Sequence, residues 1–113
     1  MGSNTPDFID YILEMLAPLD ALSIRPLFGG HSLKSQEVPF ALIINNIVYF
    51  SVDDTTRPHY EAQNMECFSY HKQGKEIFVR KYYQIPDGCF EDQDILITWA
   101  EEAIAAAIRT RSS

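Results

Sequence analysis

Two cysteines, three histidines and a scatter of carboxylates are the side chains here that could attack, move protons or hold a metal. A cysteine nucleophile needs a neighbouring imidazole or positive charge to stabilise its thiolate. Cys67 has His71 and Lys72 close by in sequence, but so does every residue of that segment. A metal site built from His31, His59, His71, Cys67 and Cys89 would lack any Cys-x-x-Cys or His-x-x-x-His pair. Cys67 and His71 fall on an extended segment, where a spacing of four points both the same way but far apart. The acidic pairs Asp53-Asp54 and Glu91-Asp92 each precede a helical pattern, and capping accounts for them. Gly29-Gly30 lacks the Lys-Ser/Thr of a phosphate loop and reads as a turn. The residues therefore nominate no catalytic, cofactor-binding or metal-ligating group. Both cysteines read as small apolar side chains, unbridged as befits a reducing compartment.

One segment competes as a binding site. Lys72, Lys75, Arg80 and Lys81 interleave with Tyr70, His71, Phe78, Tyr82 and Tyr83. Cations can hold phosphates or carboxylates while the rings stack. The net charge of −7 hides this, because residues 68–84 carry +3 and leave −10 for the rest. The candidate partner-binding residues are Lys72, Lys75, Arg80, Lys81, Tyr82 and Tyr83. The plainer account is a solvated hairpin face whose edge is guarded by lysine. Autonomous binding of duplex DNA is not expected, since four cations offer few phosphate contacts against an acidic background.

The elements that position these groups follow from periodicity and turn chemistry. Thr5-Pro6-Asp7 opens an amphipathic helix with Phe8, Ile9, Ile12, Leu13 and Leu16 on one face, ended by Pro18. Residues 23–28 read as a strand, with Pro26 placing it at an edge, and Gly29-Gly30 reverse the chain. Residues 38–44 and 47–52 flank Asn45-Asn46, a pair suited to a tight hairpin. That register sets Ile44 against Ile47, Leu42 against Tyr49 and Phe40 against Ser51. Both faces are apolar, so these strands are central. A short helix follows Asp53-Asp54-Thr55-Thr56, then a hairpin of residues 67–71 and 76–83 turning at Gln73-Gly74. Asp92 caps a last helix whose buried stripe is Leu96, Trp99, Ala103 and Ala107. The expected fold is α+β: an antiparallel five-stranded sheet in the order helix, three strands, helix, two strands, helix.

The 113 residues suit one domain, 1–113 with a core from about 5 to 109, and the 46% hydrophobic and 22% charged contents are those of a globular chain. No apolar run is long enough for a membrane span, and the start lacks a signal core, which points to the cytoplasm. Three helices are too few to cover both faces of such a sheet, so a homodimer is expected to bury the second face.

The ordered set Arg25, Phe28-Gly29-Gly30, Phe40-Ala41-Leu42, Val48-Tyr49-Phe50, Thr56-Arg57-Pro58, Tyr82-Tyr83-Gln84-Ile85-Pro86 and Trp99 resembles the N-terminal domain of the TfoX (Sxy) family. The structural family motif is Arg25, Phe28, Gly29, Gly30 and Trp99. The family's regulators are associated with bacterial natural competence, and their second, C-terminal domain has no counterpart in this chain. Family members carry a Gly- and Tyr-containing strand where this chain has His31-Ser32-Leu33-Lys34. The resemblance implies an α+β domain and a non-enzymatic regulatory or protein-interaction module in transcriptional regulation, with a protein partner. The alternative is a nucleic-acid-contacting protein using the hairpin from Lys72 to Tyr83, and beyond that a cysteine- or metal-dependent hydrolase.

Overall fold

Thr5 starts the first helix by accepting the Phe8 N–H on its hydroxyl at 3.3 Å, with Pro6 where no backbone donor is required. In the computed structural model, which describes residues 4–27 and 29–112, this helix (α1, Pro6–Met15) ends ahead of Pro18. Among the described residues there follow β1 (Leu22–Leu27), β2 (Gly30–Ser35), β3 (Val38–Ile44), β4 (Ile47–Ser51) and α2 (Arg57–Ala62). Then come β5 (Cys67–Lys72), β6 (Lys75–Gln84), a 3-10 turn at Asp87–Phe90 and α3 (Gln93–Ser112). The strands form one antiparallel sheet in the order β1-β2-β3-β4-β6-β5.

The α+β class, the antiparallel sheet and the three helices agree with the sequence reading; the strand count does not. The sheet has six strands rather than five, because residues 30–35 form β2 instead of a reversal. Its turn into β3 is made by Gln36 and Glu37, both at positive φ (50° and 68°), residues that do not announce such a turn. The Asn45-Asn46 and Gln73-Gly74 turns do announce it, and all four of their residues have positive φ. Gly30 is correspondingly not a turn residue. It opens β2 where a Cβ would stand 2.4 Å from the Ile43 carbonyl oxygen, so close strand approach requires glycine there. Gly29, at φ +80°, does occupy the left-handed region. Phe28, the remaining aromatic of the expected motif, lies outside the described residues.

Register sorts the side chains. One row crosses all six strands as Ile24, Leu33, Ala41, Phe50, Tyr83 and Cys67, on the face that the helices cover. Leu33, Ala41, Phe50 and Tyr83 are buried, and Ile24 and Cys67 at the two edges are half-buried. The β3–β4 ladder keeps the expected register and ends at Ala41–Phe50, one pair short of Phe40 and Ser51. The β2–β3 register jumps from Leu33–Ala41 to Lys34–Pro39, which leaves Phe40 as an extra, bulged residue. The bulge lets it join Phe50 in the core, ring centroids 5.8 Å apart. Each such fully buried ring contributes about 2–3 kcal/mol.

Ile12 of α1, Leu16 at its C-terminal cap, Tyr60 of α2 and Leu96, Ala100 and Ala103 of α3 complete the same core. Along α3 the buried stripe is Leu96, Ala100, Ala103, Ala106 and Ala107, and these small side chains seat the helix against β3 and β4. Trp99 is half-buried beside it, edge-on to Tyr60 at 4.8 Å. Pro26 lies in an edge strand, where its missing N–H costs no ladder bond.

Candidate interaction site

Strands β5 and β6 continue beyond the body of the sheet. β4 pairs with β6 only at Tyr49–Gln84, Phe50–Tyr83 and Ser51–Tyr82, whereas β6 continues to Lys75 paired with β5 alone. Residues 68–80 thus form a two-stranded arm turned by Gln73-Gly74. The arm has little core to bury, and its side chains show it. Phe78 is 58% exposed, Tyr70 44% and Ile77 37%. Lys72 stands directly opposite Lys75, a like-charge pair that costs stability at the tip and concentrates positive potential there.

The structure divides the six residues that the sequence nominates. Lys72, Lys75, Arg80 and Lys81 are exposed, and among the described residues none has a carboxylate oxygen within 4.0 Å. Tyr82 is half-buried at the arm's base opposite Ser51, and burial raises its hydroxyl pKa. Tyr83 is not a surface residue. It packs in the core 6.0 Å from Tyr60, with its hydroxyl 3.4 Å from Glu61 Oε2. The reason is register: its partner Phe50 points toward the helices, so Tyr83 must too. Sequence reasoning named Phe78 among the interleaved aromatics but left it out of the site, and it did not single out Ile77. Their exposure follows from the arm's projection past β4, a consequence of non-local pairing.

Of the motif residues, Arg25 is exposed on the edge strand, Gly29 turns the chain, Gly30 admits β3 and Trp99 packs on Tyr60. Asp53 is the best-connected carboxylate. Its Oδ1 accepts from the Thr55 and Thr56 backbone N–H groups at 3.1 and 3.0 Å and lies 3.3 Å from the Thr56 hydroxyl. Its Oδ2 accepts from Arg109 Nε at 2.5 Å. The Arg109 hydrogen bond, followed by those backbone donors, holds the Asp53 carboxyl down at about 2. This node joins the end of β4, the start of α2 and the last turns of α3. Asp92 likewise accepts the Asp94 N–H at 2.8 Å at the start of α3.

The two thiols sit in different environments. Burial pushes Cys89 up to about 11, so it is protonated at neutral pH. Cys67 is half-buried at the base of β5. No group of three His, Cys, Asp or Glu converges to hold a metal among the described residues. A recess of about 290 Å³ between α1, the β3–β4 turn and the 3-10 turn is lined mainly by Phe8, Tyr11, Ile47, Ile85 and Phe90. It lies apart from the arm. No helix among the described residues is long and apolar enough to cross a membrane.

Two comparisons with known proteins agree. The family model of the TfoX N-terminal domain matches residues 14–107. Protein Sxy of Escherichia coli (strain K12) is 23% identical over 100 residues, covering 88% of this chain and 47% of that protein. The chain therefore spans about half the length of this curated relative.

Proposed function

The chain belongs to the TfoX N-terminal domain family, and on that footing we propose that it is a competence-regulator-like module that acts through contact rather than catalysis. Its working surface is the arm, its partner is a protein with an acidic segment, and its setting is transcriptional regulation in the cytoplasm. One observation carries this reading: four exposed cations, none with a carboxylate oxygen within 4.0 Å among the described residues, and an exposed Phe78 on the side opposite Lys72 and Lys75 share a ribbon that contributes little to the core. A fold spends no such combination on its own stability. Apolar anchors beside unpaired charges are what a desolvating partner rewards.

The test is retention of a partner from nuclease-treated extract of the source cells by immobilised protein. A wild-type bait should hold a specific protein that Phe78→Ser and the combined Lys72→Gln, Lys75→Gln, Arg80→Gln, Lys81→Gln variant both release. Equal retention by all three baits would remove the arm from the function. Nuclease treatment keeps the outcome independent of any nucleic acid that the chain binds.

A further inference from the structure

The buried residues of the three helices pack on the side of the sheet that carries Leu33, Ala41, Phe50 and Tyr83; on the opposite side Ser32 and Leu42 are buried, Tyr49, Phe68 and Gln84 half-buried, and Arg25, Tyr70 and Lys72 exposed. Directly opposed residues point to the same side, so register fixes what that second face presents. A row crosses five strands as Arg25, Ser32, Leu42, Tyr49 and Gln84. From Tyr49 an aromatic chain continues outward: Phe68 meets it edge-on at 5.0 Å, and Tyr70 follows Phe68 at 6.1 Å. Alternation along β5 then brings Lys72, opposite Lys75, onto the same face. Glu76 opposes His71 and its carboxylate accepts from the Ser69 hydroxyl at 2.7 Å, both on the arm's other side.

The charge follows this division. The strands hold six of the nine Lys and Arg but one of the sixteen Asp and Glu, giving +5 on the sheet and −12 elsewhere with His neutral. By strand alternation that single carboxylate, Glu76, faces away from the second face. Among the described residues the strands thus contribute no carboxylate to this face, which has cations at both ends and aromatic rings between them; Glu37 of the β2–β3 turn lies 4.0 Å from Lys34.

We propose that this second face binds single-stranded nucleic acid, with bases against the Tyr49, Phe68 and Tyr70 rings and phosphates near Arg25 at one end and Lys72 and Lys75 at the other. Six strands at about 4.8 Å spacing give a platform about 24 Å wide, enough for a site of a few nucleotides. Rings carried on a sheet face reach only unstacked bases, so the face suits single strands and not duplex. An acidic peptide would meet the cations but leave the rings without stacking partners. A second copy would bring like cations together. The inference goes beyond the protein-contact reading, which also rests on Phe78 on the arm's reverse side, and either can fail alone.

Fluorescence anisotropy with labelled single-stranded RNA and DNA of about twelve nucleotides, and with the matching duplex, tests it. At about 50 mM salt both single strands should bind more tightly than duplex, and the RNA and DNA arms identify which the 2′-hydroxyl favours. Neutralising three phosphates predicts an affinity loss of about 20-fold between about 50 and about 200 mM salt. Tyr70→Ala should weaken binding about tenfold. Arg25→Gln, at the sheet edge remote from the arm, should also weaken it, while Phe78→Ser should not. Melting curves confirm that each variant is folded. The proposal is overturned by any of these results: no saturable single-strand binding at low salt, equal binding of duplex, or equal competition by polyglutamate. Unchanged affinity in Arg25→Gln, which would move the contact to the arm alone, overturns it too. So does a dimer mass in light scattering that Tyr70→Ala reduces to monomer, which assigns the face to self-association.

Discussion

Truncating Asp53 to alanine should cost about 2 kcal/mol, and the structure says where the loss arises. Two backbone N–H groups, of Thr55 and the buried Thr56, lose their acceptor at the entrance to α2. Loss of such a cap costs about 1 kcal/mol, and leaving buried donors without partners adds about 1 kcal/mol more. Arg109 is about half exposed and finds water when its partner goes, so the ion pair adds little. For a domain of this size about 2 kcal/mol lowers the melting temperature by about 8 °C. Asp53→Asn keeps an acceptor at Oδ1 and should lose less. pH separates charge from capping. The folded carboxyl lies at about 2, below its ordinary 3.8, so its ionised form stabilises the fold above about pH 4. That contribution fades as pH falls through about 2, and the gap between wild type and Asp53→Asn should close over the same window. Calorimetry from pH 7 down to the acid limit of folding measures both. A melting temperature within about 2 °C of wild type for Asp53→Ala would refute the reasoning. A loss of equal size in Arg109→Gln would refute it differently, by moving the energy from the cap to the ion pair.

Gly30→Ala should destabilise by about 3 kcal/mol, because its Cβ would press on the Ile43 backbone oxygen, and urea titration against wild type measures this. Replacing Gln36-Glu37 by Asn-Gly should stabilise by about 1 kcal/mol by relieving two left-handed backbones, and an unchanged midpoint would show that the turn is unstrained. Iodoacetamide with mass-spectrometric readout should modify Cys67 well before Cys89, whose burial raises its pKa to about 11; the reverse order would contradict the packing around Cys89.

What could be read in advance was local. Thr5 as a cap, Asn45-Asn46 and Gln73-Gly74 as turns, and the pairing of Leu42 with Tyr49 all depend on residues close in the chain. β2 escaped because Ser32 and Ser35 are buried polar residues in a short strand and Gln36-Glu37 carries its turn without turn chemistry. The basic arm was legible as a charge cluster. Which of Tyr82 and Tyr83 faces outward was not, because the answer rests on register with Phe50, more than thirty residues away. What the second face presents was illegible for the same reason: Arg25, Tyr49 and Tyr70 come to share one face only through three separate pairings and the contacts that link Tyr49, Phe68 and Tyr70.

The sheet is two local meanders stitched at one seam. β1 to β4 follow one another through adjacent hairpins, β5 and β6 form their own, and β4–β6 joins them by three residue pairs. Val52 N–H to the Lys81 carbonyl and Ile85 N–H to the Val48 carbonyl extend that seam at its two ends. Such a construction separates cooperative units. Amides of the outer arm should exchange by local opening that leaves the seam closed, whereas amides of β3 and β4, beneath α3, should exchange only when the domain unfolds. The ribbon can therefore fray or reshape around a ligand at small energetic cost, while the layer that anchors it keeps its register.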